Sequence, residues 1–413
     1  MRSDRRTIIG SLGYLAFVGM LSIGGLLYAA SNYFVGQSIQ SQSISDAEKA
    51  VAFEKWNPYA FEAGGDALIG KEDRAAAEWF EKAVALRPDD FRLWIKLGDA
   101  RSRAEQHDNA ERAYLKAIEL APNYGTPRLQ LGLQYLERGS KDKAFEQLGA
   151  AARLDPLYYP VVFHHAESAF AGDASAIESA ITPTSKNERL IFAIHLIQTS
   201  RMTESIRRFL LGNELTFDEK KKLIGLLKER KNYRLAREVW LTTLDPEIAS
   251  QSEHHIFDGG FELISRGSED GFDWTVDDDP YTSVSRNQGD VHSGSWALKI
   301  RFSGNAELQK PIVSQIAFVE VGKRYRLTFY VRAEEMISGG LPAVVVSDVG
   351  TGQLRASSKP IANTNGAWEE RTMLFTATEP LVLISVQRPN CSDRRCPIFG
   401  ELSIDDLALE RDH

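Results

Sequence analysis

The chain has 413 residues, 43% hydrophobic and 26% charged, with 49 Lys and Arg against 57 Asp and Glu and a formal net charge of −8. That length admits two or three domains, each with its own core. The acidic balance, with no Lys/Arg-rich run beyond the N-terminus, argues against a nucleic-acid partner, whose binding needs a clustered basic face.

The first element is Ile8 to Tyr28, IIGSLGYLAFVGMLSIGGLLY, 21 residues without a charge. As a helix it would extend roughly 30 Å, enough to span the hydrocarbon of a bilayer. Arg2, Arg5 and Arg6 precede it and outnumber Asp4, and basic flanks stay cytoplasmic. A cleaved signal peptide has a shorter apolar run and small residues at −3 and −1. Here cleavage after Ala29 or Ala30 would put Leu27 or Tyr28 at −3. The segment 1–30 therefore reads as a cytoplasmic tip and an uncleaved transmembrane anchor. Residues 31–45, rich in Ser, Gln and Asn, read as a linker. The expected location is a bacterial inner membrane, single-pass, with the bulk periplasmic. Cys391 and Cys396, in CSDRRC, are the only cysteines. Their close spacing fits a short-loop disulfide in an oxidising compartment; the alternative is two unrelated buried thiols.

From 46 to 250 the pattern is helical. Pro88, Pro122 and Pro156 recur every 34 residues, in ALRPDD, ELAPNY and RLDPLY. A frame of that length on Phe91 collects Trp94, Leu97, Gly98, Ala110, Tyr114, Ala117 and Pro122. The next collects Leu131, Gly132, Tyr135, Ala144, Leu148, Ala151 and Pro156. The frame before keeps Gly65, Ala76, Phe80, Ala83 and Pro88. Small residues let the two helices of a repeat approach, large ones fill the gap, and proline ends the second helix. These positions resemble the tetratricopeptide repeat. Beyond Pro156 the register decays, although Ala236 and Trp240 fit a degenerate repeat closing near Pro246. The expectation is an α-solenoid of helix pairs over 46–250.

Such solenoids take partners in a groove lined by the first helix of each repeat. Ile95, Leu129, Leu133 and Leu136 are expected there, an apolar stripe suited to a partner helix or extended segment or to another part of this chain. His164 and His165 are adjacent on a helix, where side chains diverge, and form a poor metal pair.

From 255 to 413 the period becomes two. WALKIRF, RYRLTFYVRA, PAVVVSDV, RTMLFTA and LVLISVQ read as strands between Gly, Asn, Ser and Pro turns, in a β-sandwich or jelly roll. The order FDGGFE (257–262), GFDW (271–274), DVHSGSWALKI (290–300), GKRYRLTFYVRA (322–333), GAWEERTMLFTA (366–377) and ELSIDDLAL (401–409) resembles carbohydrate-binding modules of families 4, 9 and 22, with galactose-binding-like topology. First and last strands of such sandwiches are often neighbours, which would bring Glu262 near Asp405. Two unneutralised carboxylates would repel, and a hard cation would resolve this. The resemblance implies a structural calcium, held by the Gly260 carbonyl, Glu262, Ser293, the Trp296 carbonyl and Asp405. The alternative is that turn amides satisfy both acids. Asp406 is expected on the opposite face by strand alternation.

Sugar recognition needs exposed rings and hydrogen-bonding side chains. Candidates are Trp274, Tyr281, Tyr330, Trp368 and Gln387, each with a competing place in the core. No GxSxG, HExxH, Walker loop or dinucleotide fingerprint occurs. Asp277, Asp278 and Asp279 read as a solvated acidic loop rather than a glycosidase pair. The whole reads as a non-enzymatic, membrane-anchored scaffold: a solenoid for protein and a jelly roll for glycan, serving cell-surface polysaccharide assembly or export. A purely structural assembly subunit, whose jelly roll binds no sugar, is the alternative.

Overall fold

The computed structural model describes residues 4–251, 256–263, 271–277, 279–391 and 396–412, with side chains from 20 onward except 21, 250 and 251. The chain divides into two compact units, Met1–Leu196 with Arg201–Thr203, and Ile197–Ser200 with Glu204–His413.

The first unit is helical. It contains α1 (Asp4–Ser41), α2 (Ile44–Phe53), α3 (Pro58–Leu68), α4 (Asp73–Leu86), α5 (Phe91–Arg103), α6 (His107–Leu120), α7 (Thr126–Glu137), α8 (Lys141–Leu154), α9 (Tyr159–Ala169) and α10 (Ala174–Ile181), and most of α11 (Lys186–Gln198). The repeat frame has a direct physical basis. A Cβ added at Gly65 would lie 2.6 Å from the Phe80 ring, one at Gly98 2.5 Å from Tyr114, and one at Gly132 2.7 Å from Leu148. In each pair a glycine on the first helix receives a large side chain from the second, closer than any other residue allows. Ala76, Ala110 and Ala144, and likewise Ala83, Ala117 and Ala151, are fully buried at the same crossings. Asn57, Asp90 and Asp155 cap the following elements with their side chains, and each pair closes at the expected proline.

The structure departs from the sequence reading at the N-terminal edge. Residues 31–41, expected as linker, continue α1, and α2 folds back on them. Val35, Ala50, Ala60 and Ala63 form a small core there. The polar residues that suggested a linker are consumed in this crossing: Ser31 Oγ donates to Ala50 O at 2.8 Å and Ser38 Oγ to Ser43 O at 2.8 Å. Serine on a helix can satisfy itself against a neighbouring carbonyl and so stay buried. The expected anchor at Ile8–Tyr28 falls largely outside the described side chains. Among the described residues no helix is long and apolar enough to cross a membrane.

The second unit opens with α12 (Glu204–Leu211), α13 (Phe217–Glu229), α14 (Tyr233–Leu241) and α15 (Pro246–Gln251). Among the described residues ten strands follow: β1 (Thr275–Val276), β2 (Thr282–Asn287), β3 (Ala297–Gly304), β4 (Pro311–Phe318), β5 (Arg324–Ile337), β6 (Ala343–Asp348), β7 (Leu354–Ser357), β8 (Glu369–Thr376), β9 (Leu381–Gln387) and β10 (Ile398–Arg411). They make two antiparallel five-stranded sheets, β1-β4-β9-β6-β7 and β2-β3-β10-β5-β8. Leu327, Phe329, Val331, Leu402 and Ile404 from one sheet meet Val344, Val346, Ile384 and Val386 from the other in a single core. Cys391 and Cys396 are joined in a disulfide.

The solenoid was expected to run to 250, yet the helices from Glu204 belong with the sandwich. Trp240 on α14 is buried, its ring 4.8 Å from Phe257 and 5.8 Å from Phe272. Phe272 in turn lies 5.8 Å from Phe318 on β4. Lys228 on α13 donates to Gly271 O at 3.0 Å. This aromatic seam gives the last helical pair a shared core with the strands.

Candidate functional site

The two chain ends of the sandwich meet at FDGGFE. Leu407 N donates to Gly259 O at 2.9 Å. A Cβ at Gly259 would sit 2.0 Å from Leu407 O, so only glycine lets the segment lie this close to β10. Asp258 then closes the turn, accepting from Glu262 N at 2.7 Å and Leu263 N at 3.3 Å.

The five residues named for calcium gather, but around hydrogen bonds. Glu262 Oε1 accepts from Ser295 N at 2.8 Å and Trp296 N at 3.0 Å. Asp405 is fully buried; its Oδ2 accepts from His292 N at 2.8 Å and Ser293 N at 3.2 Å, and its Oδ1 from Asp406 N at 2.8 Å. Gly260 lies alongside, close to the carboxylates of Asp405 and Asp406. Ser293 and Trp296 thus engage these acids through their N–H groups, and the Ser293 hydroxyl donates to Asp406. Among the described residues no group of three or more His, Cys, Asp or Glu is placed to hold a metal ion. Turn amides thus serve both acids, three on Asp405 and two on Glu262, although burial still holds the Asp405 carboxyl above its ordinary pKa.

Asp406 corrects the alternation argument. β10 carries a bulge between Asp405 and Ala408, opposite Tyr330 and Thr328 of β5, and Asp406 adopts φ 49°. The extra residue swings its side chain toward the same loop that Asp405 holds. Asp406 Oδ2 lies 2.6 Å from His292 Nδ1, and Oδ1 accepts from Ser293 Oγ at 2.8 Å. The DVHSGSW loop is therefore clamped by Glu262, Asp405 and Asp406 together.

The clamp presents His292 to the rings on the sheet. His292 stacks on Tyr330 with centroids 3.5 Å apart and planes 13° apart, and meets Trp368 edge-on at 5.9 Å. Tyr330 and Trp368 are both half-buried. Beside them Arg332 Nη1 donates to Asp290 Oδ1 at 2.5 Å, and its Nε and Nη2 donate to Glu334 Oε1 at 3.0 and 2.6 Å. Those carboxylates hold the Arg332 guanidinium above its ordinary pKa, Glu334 most strongly. The result is a three-ring patch edged by carboxylates and a guanidinium. Flat rings with hydrogen-bonding groups at the margin are what a pyranose presents complementary surfaces to.

The other sugar candidates do not join this patch. Trp274 packs on the core, 5.2 Å from Phe261, and its Nε1 donates to Asp258 O at 2.9 Å. Tyr281 is exposed but lies over Gly304. Gln387 stands on the opposite sheet, paired with Ala343 and Pro311. Sequence reasoning missed His292, Asp290 and Arg332. In the solenoid, Ile95 and Leu129 are buried and Leu133 is half-buried. Leu136 packs on the cluster of Tyr114, Leu131 and Tyr135, so the expected open apolar stripe is largely closed.

Burial pushes Asp258 up to about 6, against the pull of its amide donors. A carboxyl raised in the fold favours the folded state when protonated, so its stabilisation is present below about pH 4 and is lost as pH rises through about 6. Asp258→Asn keeps an acceptor for Glu262 N without a buried charge. The variant is expected to melt higher than the parent at pH 7.5, with the difference gone by pH 4. A difference that does not change with pH would refute this account of Asp258.

Parts of the chain are similar to known proteins. The tetratricopeptide repeat family matches residues 91–124. A 69-residue stretch is 35% identical to the peroxisomal targeting signal receptor of Candida albicans, covering 17% of this chain and only 12% of that protein's length. Among solved structures, MamA from Desulfovibrio magneticus RS-1 aligns with 38% of this chain and 90% of its own, at 21% identity and TM-score 0.33. TmCBM61 in complex with β-1,4-galactotriose aligns with 39% of this chain and 100% of its own, at 21% identity and TM-score 0.26. The chain thus carries a tetratricopeptide repeat region followed by a β-sandwich.

Proposed function

We propose that this chain is a non-enzymatic, membrane-anchored binding protein, whose tetratricopeptide region holds a protein partner and whose sandwich binds glycan at the Tyr330–His292–Trp368 patch. The reading places it in cell-surface polysaccharide assembly or export, with Ile8–Tyr28 in the inner membrane and the bulk periplasmic. The observation that carries the glycan part is the patch itself: Tyr330 and Trp368 both in contact with the His292 ring, with Asp290, Arg332 and Glu334 beside them. The sequence supplies the anchor, and the repeat match supplies the protein-binding part.

The test is a glycan array probed with residues 204–412, followed by titration of the best ligand. Trp368→Ala is expected to weaken binding at least tenfold, an effect of about 1.4 kcal/mol or more, while Tyr281→Ala on the other margin leaves it unchanged. No signal on any glycan would defeat the sugar reading and favour a purely structural assembly role.

A further inference from the structure

We propose that the turn between α2 and α3, with Trp56 at its tip, lies in the lipid headgroup layer and seats the first helical pair on the membrane surface. This rests on the reading of Ile8–Tyr28 as a membrane helix and adds a second contact to it. The argument is one of level along α1. The helix runs unbroken from Asp4 to Ser41, so no joint separates its apolar stretch from the part that packs in the solenoid. Four contacts fix how far back toward that stretch the following segment returns. Ser31 Oγ donates to Ala50 O, Asn57 Nδ2 donates to Ser31 Oγ and Asn32 Oδ1 at 2.9 Å each, and the Phe34 and Phe53 rings stack at 5.6 Å.

The α2–α3 turn is therefore held beside residues 31–34 of α1. At 1.5 Å per residue, Ser31 is only about 5 Å beyond Tyr28. The headgroup zone on each side of the hydrocarbon is itself about 5–7 Å deep. The side chains at this level suit that zone. Trp56 is 76% exposed and Tyr33 63%, with Tyr28, Phe53 and Tyr59 also exposed. Lys55 in the same turn is exposed as well. Exposed aromatic rings gathered at one height, next to a helix bearing exposed Met20, Ile23 and Leu26, form the interfacial belt that tryptophan and tyrosine favour. A lysine there faces lipid phosphates. The consequence is a solenoid held against the membrane at two points rather than swinging on a tether.

The experiment uses the full chain reconstituted in phospholipid vesicles. Emission of the parent minus that of Trp56→Phe isolates the Trp56 signal. It is expected to fall by more than half with lipids brominated near the headgroup end of the acyl chain, and to resist aqueous iodide. An alkaline carbonate wash of the same vesicles reports the anchor separately. If the protein stays in the membrane while iodide quenches Trp56 and brominated lipid does not, this inference fails and the anchor reading stands. If the wash releases the protein, the anchor reading fails and takes this inference with it.

Discussion

Arg388→Ala is expected to destabilise the second unit by about 3–5 kcal/mol, lowering its melting temperature by on the order of 10 °C. Arg388 is fully buried, and burial lowers its pKa. The charge of Asp279 pulls the other way, but among the described residues no carboxylate hydrogen-bonds the guanidinium. Backbone carbonyls do: Nε donates to Gly340 O at 2.9 Å, Nη1 to Ala306 O, and Nη2 to Cys396 O at 2.7 Å. One side chain thus ties three loops at the end of the sandwich, beside the disulfide. Removing it strands two buried acceptors and one half-buried one and leaves a cavity, and both effects act in the same direction. Arg388→Lys should recover only part of the loss, because an ammonium lacks the fork that reaches separate carbonyls. Urea denaturation of the full chain measures both variants. A loss under about 1 kcal/mol for alanine would mean that the loops hold without the arginine.

The second large effect concerns where the sandwich begins. Trp240→Ala is expected to cost about 3–5 kcal/mol in the second unit, as much as a deletion in the middle of the β-core. Its ring fills the space between α14 and Phe257 and Phe272, and the Arg237 guanidinium lies 5.2 Å from the Phe318 ring centroid. A fragment starting at 255 would present those phenylalanines to water. It should melt well below a fragment of 204–412 and bind a hydrophobic dye in its native baseline. Equal melting of the two fragments would show that the helices contribute nothing to the sandwich.

Much of this architecture was legible because the residues responsible repeat. The glycine that receives a large side chain, the alanine crossings and the closing proline recur at fixed spacing, and so do the alternating apolar positions of β3 and β5. What escaped notice breaks a pattern for a local reason. β4 reads PIVSQIAF, and Gln315 interrupts its alternation. In the fold Gln315 is buried among apolar neighbours, because its amide exchanges hydrogen bonds with Phe257 N and O at 2.8 Å each. The α1–α2 crossing was hidden by serines that look solvated and are not. The pairing of His292 with Asp406 escaped too, because strand alternation sends Asp406 to the other face. Composition carries no trace of the bulge that brings it back.

That bulge also constrains the length of the chain's last strand. Asp405 and Ala408 are three residues apart, yet they face Tyr330 and Thr328, which are two apart. Upstream of the bulge the even-numbered residues of β10, such as Leu402 and Ile404, point inward; downstream the odd-numbered ones do, and Leu407 and Leu409 are buried. A single-residue deletion here would give a more regular ladder and a worse protein. Leu407 and Leu409 would still face inward and Asp412 would keep its ion pairs with Arg324 and Arg326, but with Asp406 gone the His292 loop would lose both side-chain contacts it makes to that residue. The extra residue therefore serves the loop and not the ladder: the strand pairs without it, and the loop does not close without it.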